Sequence, residues 1–173
     1  MKTRKERMIE MAQGMCSSYN GDFTPTVDWP SGPYIGNGYV TSGGIVQAVQ
    51  MMVQAYGCSV GSSGEDGYYG PGTQSGIECY QKLKGLSVDG IVGPQTWTAL
   101  AQDLGTPSGG GAEFNYTWQP STPLPHPVVQ FNQYTDISSP NVACGYGGGE
   151  WAYVNPSGQL YWMESTFTSA ALA

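Results

Sequence analysis

Side chains able to carry out acid–base, nucleophilic or metal chemistry are few in this 173-residue chain. There is one histidine, His126, in a Pro-rich stretch, and there are four cysteines: Cys16, Cys58, Cys79 and Cys144. A hydrolytic zinc site takes several His or carboxylate ligands, so a single histidine does not supply one, and no Cys-x-x-Cys pair exists. Thiol nucleophiles need an imidazole within hydrogen-bond reach. Cys144 and His126 are the candidates for that in the C-terminal third. Glycoside hydrolysis needs two carboxylates across a sugar ring; Glu113, Asp136, Glu150 and Glu164 are available, but no motif pairs them. The expectation is no catalytic residue, no cofactor and no metal.

Charge narrows the partners. Only 11% of residues are charged, against about 25% in an ordinary globular domain. Net charge is −7, and four of the six basic residues (Lys2, Arg4, Lys5, Arg7) fall in the first seven positions. Beyond them stand two basic and twelve acidic residues, a balance of −10. Phosphate contacts need clustered Lys and Arg, so no nucleic-acid binding is expected of the body of the protein. No apolar run reaches the 18 or so residues of a membrane span, so no membrane partner is expected. The start MKTRKER resembles the basic part of an export signal. Residues 8–15 nevertheless carry Glu10 and Gln13 rather than an apolar core, and Met8, Met11 and Met15 fall on one helical stripe.

The remaining chemistry lies in a repeat. Residues 66–73 read DGYYGPGT and residues 89–96 read DGIVGPQT, the same Asp-Gly-x-x-Gly-Pro-x-Thr phrase 23 positions apart. Each phrase predicts a turn that launches a helix. Gly allows backbone angles closed to other residues, and Pro71 and Pro94 suit a first helical position, where the missing N–H is not needed. Val46, Val49, Val53 and Tyr56 recur at helical spacing before the first phrase, and Ile77, Tyr80 and Leu83 between the two. Trp97 and Leu100 supply a third apolar stripe.

Residues 43–100 resemble the small helical peptidoglycan-binding domain appended to many bacterial and phage cell-wall enzymes. That family opens on Val-x-x-Leu-Gln-x-x-Leu-x-x-x-Gly, matched by Val46, Val49, Gln50, Val53 and Gly57. Its second helix ends in an aromatic residue and Gln, matched by Tyr80 and Gln81. Its closing phrase, Gly-Leu-x-Val-Asp-Gly-Ile-Val-Gly-Pro-x-Thr-Trp-x-x-Leu, is matched throughout residues 85–100. The resemblance implies three short helices and non-catalytic binding of peptidoglycan. Asp66, Tyr68, Tyr69, Gln81 and Asp89 are the candidate binding residues. Asp66 and Asp89 have a structural alternative, because Asp before Gly in a tight turn commonly satisfies its own backbone amides. Tyr69 occupies a position that tends to be core, which leaves Tyr68 exposed. Thr73 and Thr96, in the first turns of their helices, are expected to serve those helix starts.

So small a helical unit buries little surface and gains from a staple. Four cysteines allow three pairings. Cys58–Cys79 is favoured because it ties the first helix to the second, which leaves Cys16 and Cys144 free or joined to each other. An even cysteine count in a Gly- and Tyr-rich chain points to an oxidising, extracellular setting.

The expected class is α+β. Residues 1–42 form an N-terminal arm and irregular segment, 43–103 the helical domain, 104–111 a Gly-rich linker, and 112–173 a small β-rich domain. Residues 128–136 suggest a strand, and WAYV and QLYWMES flank Asn155-Pro156-Ser157-Gly158, a turn signal that predicts a hairpin. Trp151, Tyr153, Tyr161 and Trp162 could stack on glycans, but a small β domain needs aromatics for its own core. The wall-enzyme resemblance makes catalysis by residues 112–173 a fair question. The order of His126 and Cys144 is the reverse of that usual in wall peptidases, and a Ser/Thr-His-Gly-x-x-x-Cys signature is absent. The second functional expectation is a bacteriophage virion protein: a capsid decoration, collar or tail subunit, placed extracellularly or on the virion surface. Its basic arm within residues 1–42 would dock on other virion subunits or on another copy.

Overall fold

Pro71 and Pro94 each stand at the first position of a helix, after Gly70 and Gly93 in extended conformation. The computed structural model describes residues 29–110, 113–121, 128–134 and 150–170. Among the described residues, three helices, α1 (Gly44–Ala55), α2 (Pro71–Leu83) and α3 (Pro94–Ala101), precede a sheet of five strands. These are β1 (Ser108–Gly110), β2 (Glu113–Trp118), β3 (Val129–Tyr134), β4 (Glu150–Val154) and β5 (Leu160–Trp162). All neighbours are antiparallel and the spatial order is the chain order, a simple meander. The protein is thus α+β, helices first. The cystine Cys58–Cys79 joins the end of α1 to α2 with a Cα–Cα distance of 5.7 Å.

One continuous apolar core runs through both layers. Tyr116, Trp118, Val129, Phe131, Trp151 and Tyr153 line the inner face of the sheet, with Tyr116 opposite Phe131 and Phe131 opposite Tyr153. Trp29, in a 3-10 turn (Trp29–Ser31), is fully buried between that face and α3. Its ring meets Trp97, Phe131 and Trp151 edge-on at centroid distances of 5.9, 5.2 and 5.5 Å. α1 is buried over most of its surface: Ile45, Ala48 and Met52 are as buried as Val46, Val49 and Val53, and only Gln54 is exposed. On the outer face of the sheet Ala152, Trp162, Ala170 and Leu160 form a small separate cluster.

The C-terminal segment also caps α1. The amides of Gly44 and Ile45, which have no partner within the helix, donate to the carbonyls of Thr166 and Glu164 at 3.0 and 3.1 Å. A side chain could not fit there: a Cβ on Gly44 would lie 2.3 Å from the Trp162 carbonyl oxygen.

Two expectations need correction or refinement. Leu83, placed on a buried face with Ile77 and Tyr80, is exposed. The inner stripe of α2 is Thr73, Gly76, Ile77, Tyr80 and Gln81. Its continuation at helical spacing is position 84, where Lys84 lies over the Tyr56 ring at 4.5 Å. The Gly-rich segment 104–111 contains strand β1, paired with β2, and Leu104 bridges to Trp118. The predicted hairpin is present: β4 and β5 pair around a turn in which the Gly158 amide donates to the Asn155 carbonyl at 2.9 Å. β3 lies within the predicted strand, and Trp151, Tyr153 and Trp162 are buried as core. Cys16, Cys144, His126, Asp136 and the Met8/Met11/Met15 stripe lie outside the described residues.

Candidate functional site

The two repeat phrases fold into two equivalent loops, each held from inside by a buried glutamine of the preceding helix. Gln50 of α1 serves the first. Its Oε1 accepts from the Gly67 amide at 2.7 Å, and its Nε2 lies 3.0 Å from Asp66 Oδ1, 3.1 Å from the Tyr68 carbonyl and 2.9 Å from Thr73 Oγ1. Gln81 of α2 repeats the pattern. Its Oε1 accepts from the amides of Asp89 and Gly90 at 3.0 and 2.9 Å. Its Nε2 lies 2.8 Å from Asp89 Oδ1, 2.9 Å from the Ile91 carbonyl and 3.2 Å from Thr96 Oγ1. Each aspartate also closes its own turn, Asp66 Oδ1 accepting from the Tyr68 amide and Asp89 Oδ1 from the Ile91 amide, both at 2.9 Å. Gly67 and Gly90 follow at φ 75° and 71°, the left-handed region that a side chain opposes.

This geometry places every candidate. Gln81 is buried and its amide is spent on the loop. Asp66 and Asp89 are exposed, yet one carboxylate oxygen of each is committed to holding the turn. Tyr69 is half-buried and its hydroxyl donates to the Gly90 carbonyl at 2.7 Å, which ties the first loop to the second. Burial, then the charges of Glu78 and Asp89, push that phenol above its ordinary pKa. Tyr68 is 59% exposed. Its ring contacts Phe167 at 5.6 Å, a neighbour from the C-terminal segment. Thr73 and Thr96 point inward to the glutamines, and neither makes a capping hydrogen bond at its helix start.

A shallow solvent-open pocket lies beside each loop. The first, about 290 Å³, is lined by Asp66, Tyr68, Pro71 and the 60–63 turn. The second, about 350 Å³, is lined by Asp89, Ile91, Gln95, Ser87 and Tyr34. Both sit at the small end of ligand-pocket sizes. Tyr34 and its neighbour Tyr39 were missed in the sequence because they precede the patterned segment. The available signal was two tyrosines in a Pro/Gly-rich stretch, too weak to place them.

The other polar centre is a brace. Tyr56 Oη donates to Asp103 Oδ2 and accepts from Lys84 Nζ at 2.6 Å, while Lys84 also pairs with Asp103 at 3.3 Å. Ser121 donates to the second Asp103 oxygen. The network locks α1, α2, the end of α3 and the start of the sheet together. In the sheet, Glu113 accepts from Asn132 at 2.6 Å, and beyond β5 Glu164 accepts from Thr166 at 3.0 Å. Among the described residues no three His, Cys, Asp or Glu side chains cluster as metal ligands, and no helix is long and apolar enough to cross a membrane.

Comparison with known proteins falls on the same region. Residues 42–100 match the family described as "Putative peptidoglycan binding domain". The N-acetylmuramoyl-L-alanine amidase CwlL of Bacillus licheniformis is 39% identical over 93 residues, 51% of this chain and 24% of that protein. The zinc D-Ala-D-Ala carboxypeptidase of Streptomyces albus G is 34% identical over 62 residues, 36% of this chain and 24% of that protein. The chain therefore spans about a quarter of the length of these relatives. No solved structure matches.

Proposed function

We propose that the protein acts as a non-catalytic binder of bacterial peptidoglycan through residues 42–100, the segment that matches the peptidoglycan-binding domain family. The observation that carries the reading is the pair of equivalent loops. Their Gln, Asp and Thr side chains hold two backbone turns rigid beside open pockets. Rigid, preorganised surfaces reduce the ordering cost of binding, which suits a recognition module. The proposed contacts are Tyr68 and the exposed sides of Asp66 and Asp89, with Gln81 and Tyr69 acting as supports. The disulfide fits an extracellular or wall setting.

The test is sedimentation of the full chain with purified, protein-free peptidoglycan. Wild type is expected in the pellet and Tyr68→Ala is expected to pellet less; no enrichment of wild type over a control protein overturns the reading. The non-catalytic part has its own check. No release of reducing sugar or free amine from cell walls is expected, and turnover abolished by Glu150→Gln or Cys144→Ala would refute it. The concentration of four cations in the first seven residues favours a further setting, assembly into a phage particle through residues 1–42. If full-length protein and a form starting at residue 29 sediment alike with and without virion partners, that setting is wrong.

A further inference from the structure

We propose that Tyr34 and Tyr39 form an aromatic subsite for the sugar rings of the glycan strand, at the mouth of the second-loop pocket. The proposal rests on the wall-binding reading and adds the part of the polymer recognised, with two rings that lie outside the family-matched segment 42–100.

The support for these two rings is rigid. Ile35 and Val92 exchange two backbone hydrogen bonds, of 3.0 and 2.9 Å, which dock residues 33–40 onto the second loop. Trp97 Nε1 donates to the Pro33 carbonyl at 2.9 Å. The segment then closes on itself, the Gly36 amide donating to Val40 and the Val40 amide to Tyr34, at 3.0 and 3.1 Å. Ile35 and Val40 are buried beneath it. Tyr34 and Tyr39 are nevertheless 44% and 54% exposed, and their rings stack at 5.1 Å and 28°. Tyr34 is held against Gly93, where a Cβ would lie 2.9 Å from the ring, so Tyr39 is the outer layer of the stack. Two large rings kept in water on a pinned loop are a recognition feature rather than a packing one.

The pocket chemistry selects the ligand. A pyranose presents a C–H face suited to a flat ring and hydroxyl or acetamido groups at its edge. Beside Tyr34 stand Ser87, Gln95 and Asp89. Asp89 Oδ2 has no partner among the described residues and is free to accept from a sugar hydroxyl. The lining holds one carboxylate and no cation, and the chain beyond residue 7 carries −10. That field disfavours the carboxylates of stem peptides and favours a neutral sugar. At the first loop Tyr68 and Phe167 are also exposed, but they do not stack. Phe167 meets Tyr68 at a 50° tilt, and a Cβ on Gly67 would lie 2.4 Å from the Phe167 ring. The open stack belongs to the second loop.

The experiment titrates the full chain with a soluble N-acetylglucosamine tetramer by calorimetry and, in parallel, sediments it with purified peptidoglycan. Circular dichroism verifies the fold of each variant. Tyr39→Ala is expected to bind the tetramer about tenfold more weakly, the size of one aromatic contact. Tyr39→Phe, which keeps the ring, and Leu83→Ala, whose side chain does not line the pocket, should titrate like wild type. A Tyr39→Ala protein that binds as tightly as wild type overturns the subsite. So does a wild type that pellets with peptidoglycan but gives no heat with the tetramer, an outcome that leaves wall binding standing. Tyr39-dependent tetramer binding without sedimentation would support the subsite and sink the wall reading instead.

Discussion

Replacing Gln81 by Ala tests whether the second loop is held from inside. Gln81 is buried and joins five partners across the loop, three in the Asp89–Ile91 backbone. Alanine strands the buried Gly90 amide, the Asp89 amide and the Ile91 carbonyl. A buried group left unpaired costs about 1–3 kcal/mol. The adjoining pocket lets water reach the Asp89 and Ile91 groups, so the expected loss is about 2–4 kcal/mol rather than the full sum. For a chain of this length each kcal/mol moves Tm by about 2–4 °C, giving a fall of about 5–15 °C. Urea unfolding and thermal unfolding, each followed by tryptophan fluorescence, read the two numbers, because Trp29 and Trp97 are buried. Gln95→Ala, exposed in the first turn of α3, is the control and should stay within about 0.5 kcal/mol. Gln81→Glu adds a sign test. Its new carboxylate would face Asp89 and the Ile91 carbonyl, so its folded-state pKa is raised. Destabilisation present at neutral pH must then shrink as pH falls through that value. A Gln81→Ala loss no larger than the control would mean that the turn residues hold the loop unaided.

Trp29→Ala removes the ring that joins three aromatic partners and should cost about 3–5 kcal/mol, measured as the urea midpoint. A smaller loss than at an exposed tyrosine would deny the shared core. Reducing Cys58–Cys79, or replacing both residues by Ser, should cost about 3 kcal/mol for a loop of this length; thiol titration and denaturation check it, and an unchanged midpoint refutes it. Alkaline pH should unfold the protein early. Burial opposes charge on Lys84, but its hydrogen bond to Tyr56 and the Asp103 carboxylate outweigh that and raise its pKa. Burial first, and then Asp103 and Tyr56, raise Tyr80, and burial and Tyr161 raise Tyr153. Each is a folded pKa above its unfolded value, so this stability is complete below the ordinary values of 10.0 and 10.5 and is lost as pH rises past them. A Tm constant across that window would contradict the assignment.

Local rules made much of this protein legible. Turn chemistry is written within a few residues, so the Asp-Gly and Gly-Pro pairs located both loops and both helix starts. Helical spacing located α1 and α2, and Asn155-Pro156-Ser157-Gly158 located the β4–β5 hairpin. The cystine was reachable because its two cysteines flank a short, recognisable unit. β2 was legible too, in the alternation of Phe114, Tyr116 and Trp118, but it went unassigned. Periodicity also set the α2 stripe one position off, since Leu83 reads as core until Lys84 is seen to cover Tyr56.

Other features depend on segments far apart in the chain. Trp29 reads as part of an irregular leader until α3 and the sheet close around it from 68 and 102 positions away at Trp97 and Phe131. The helical and β-rich regions, separable by composition, share one core because neither alone covers its own apolar face. Tyr34 reaches the second loop through the backbone pairing of its neighbour Ile35 with Val92, which no local pattern encodes. Sequence determined the turns and periodic elements, whose energetics are settled between near neighbours. Tertiary structure decided which polar groups were spent inside and which aromatics were left exposed, because burial is set by whatever distant segment arrives to cover a surface.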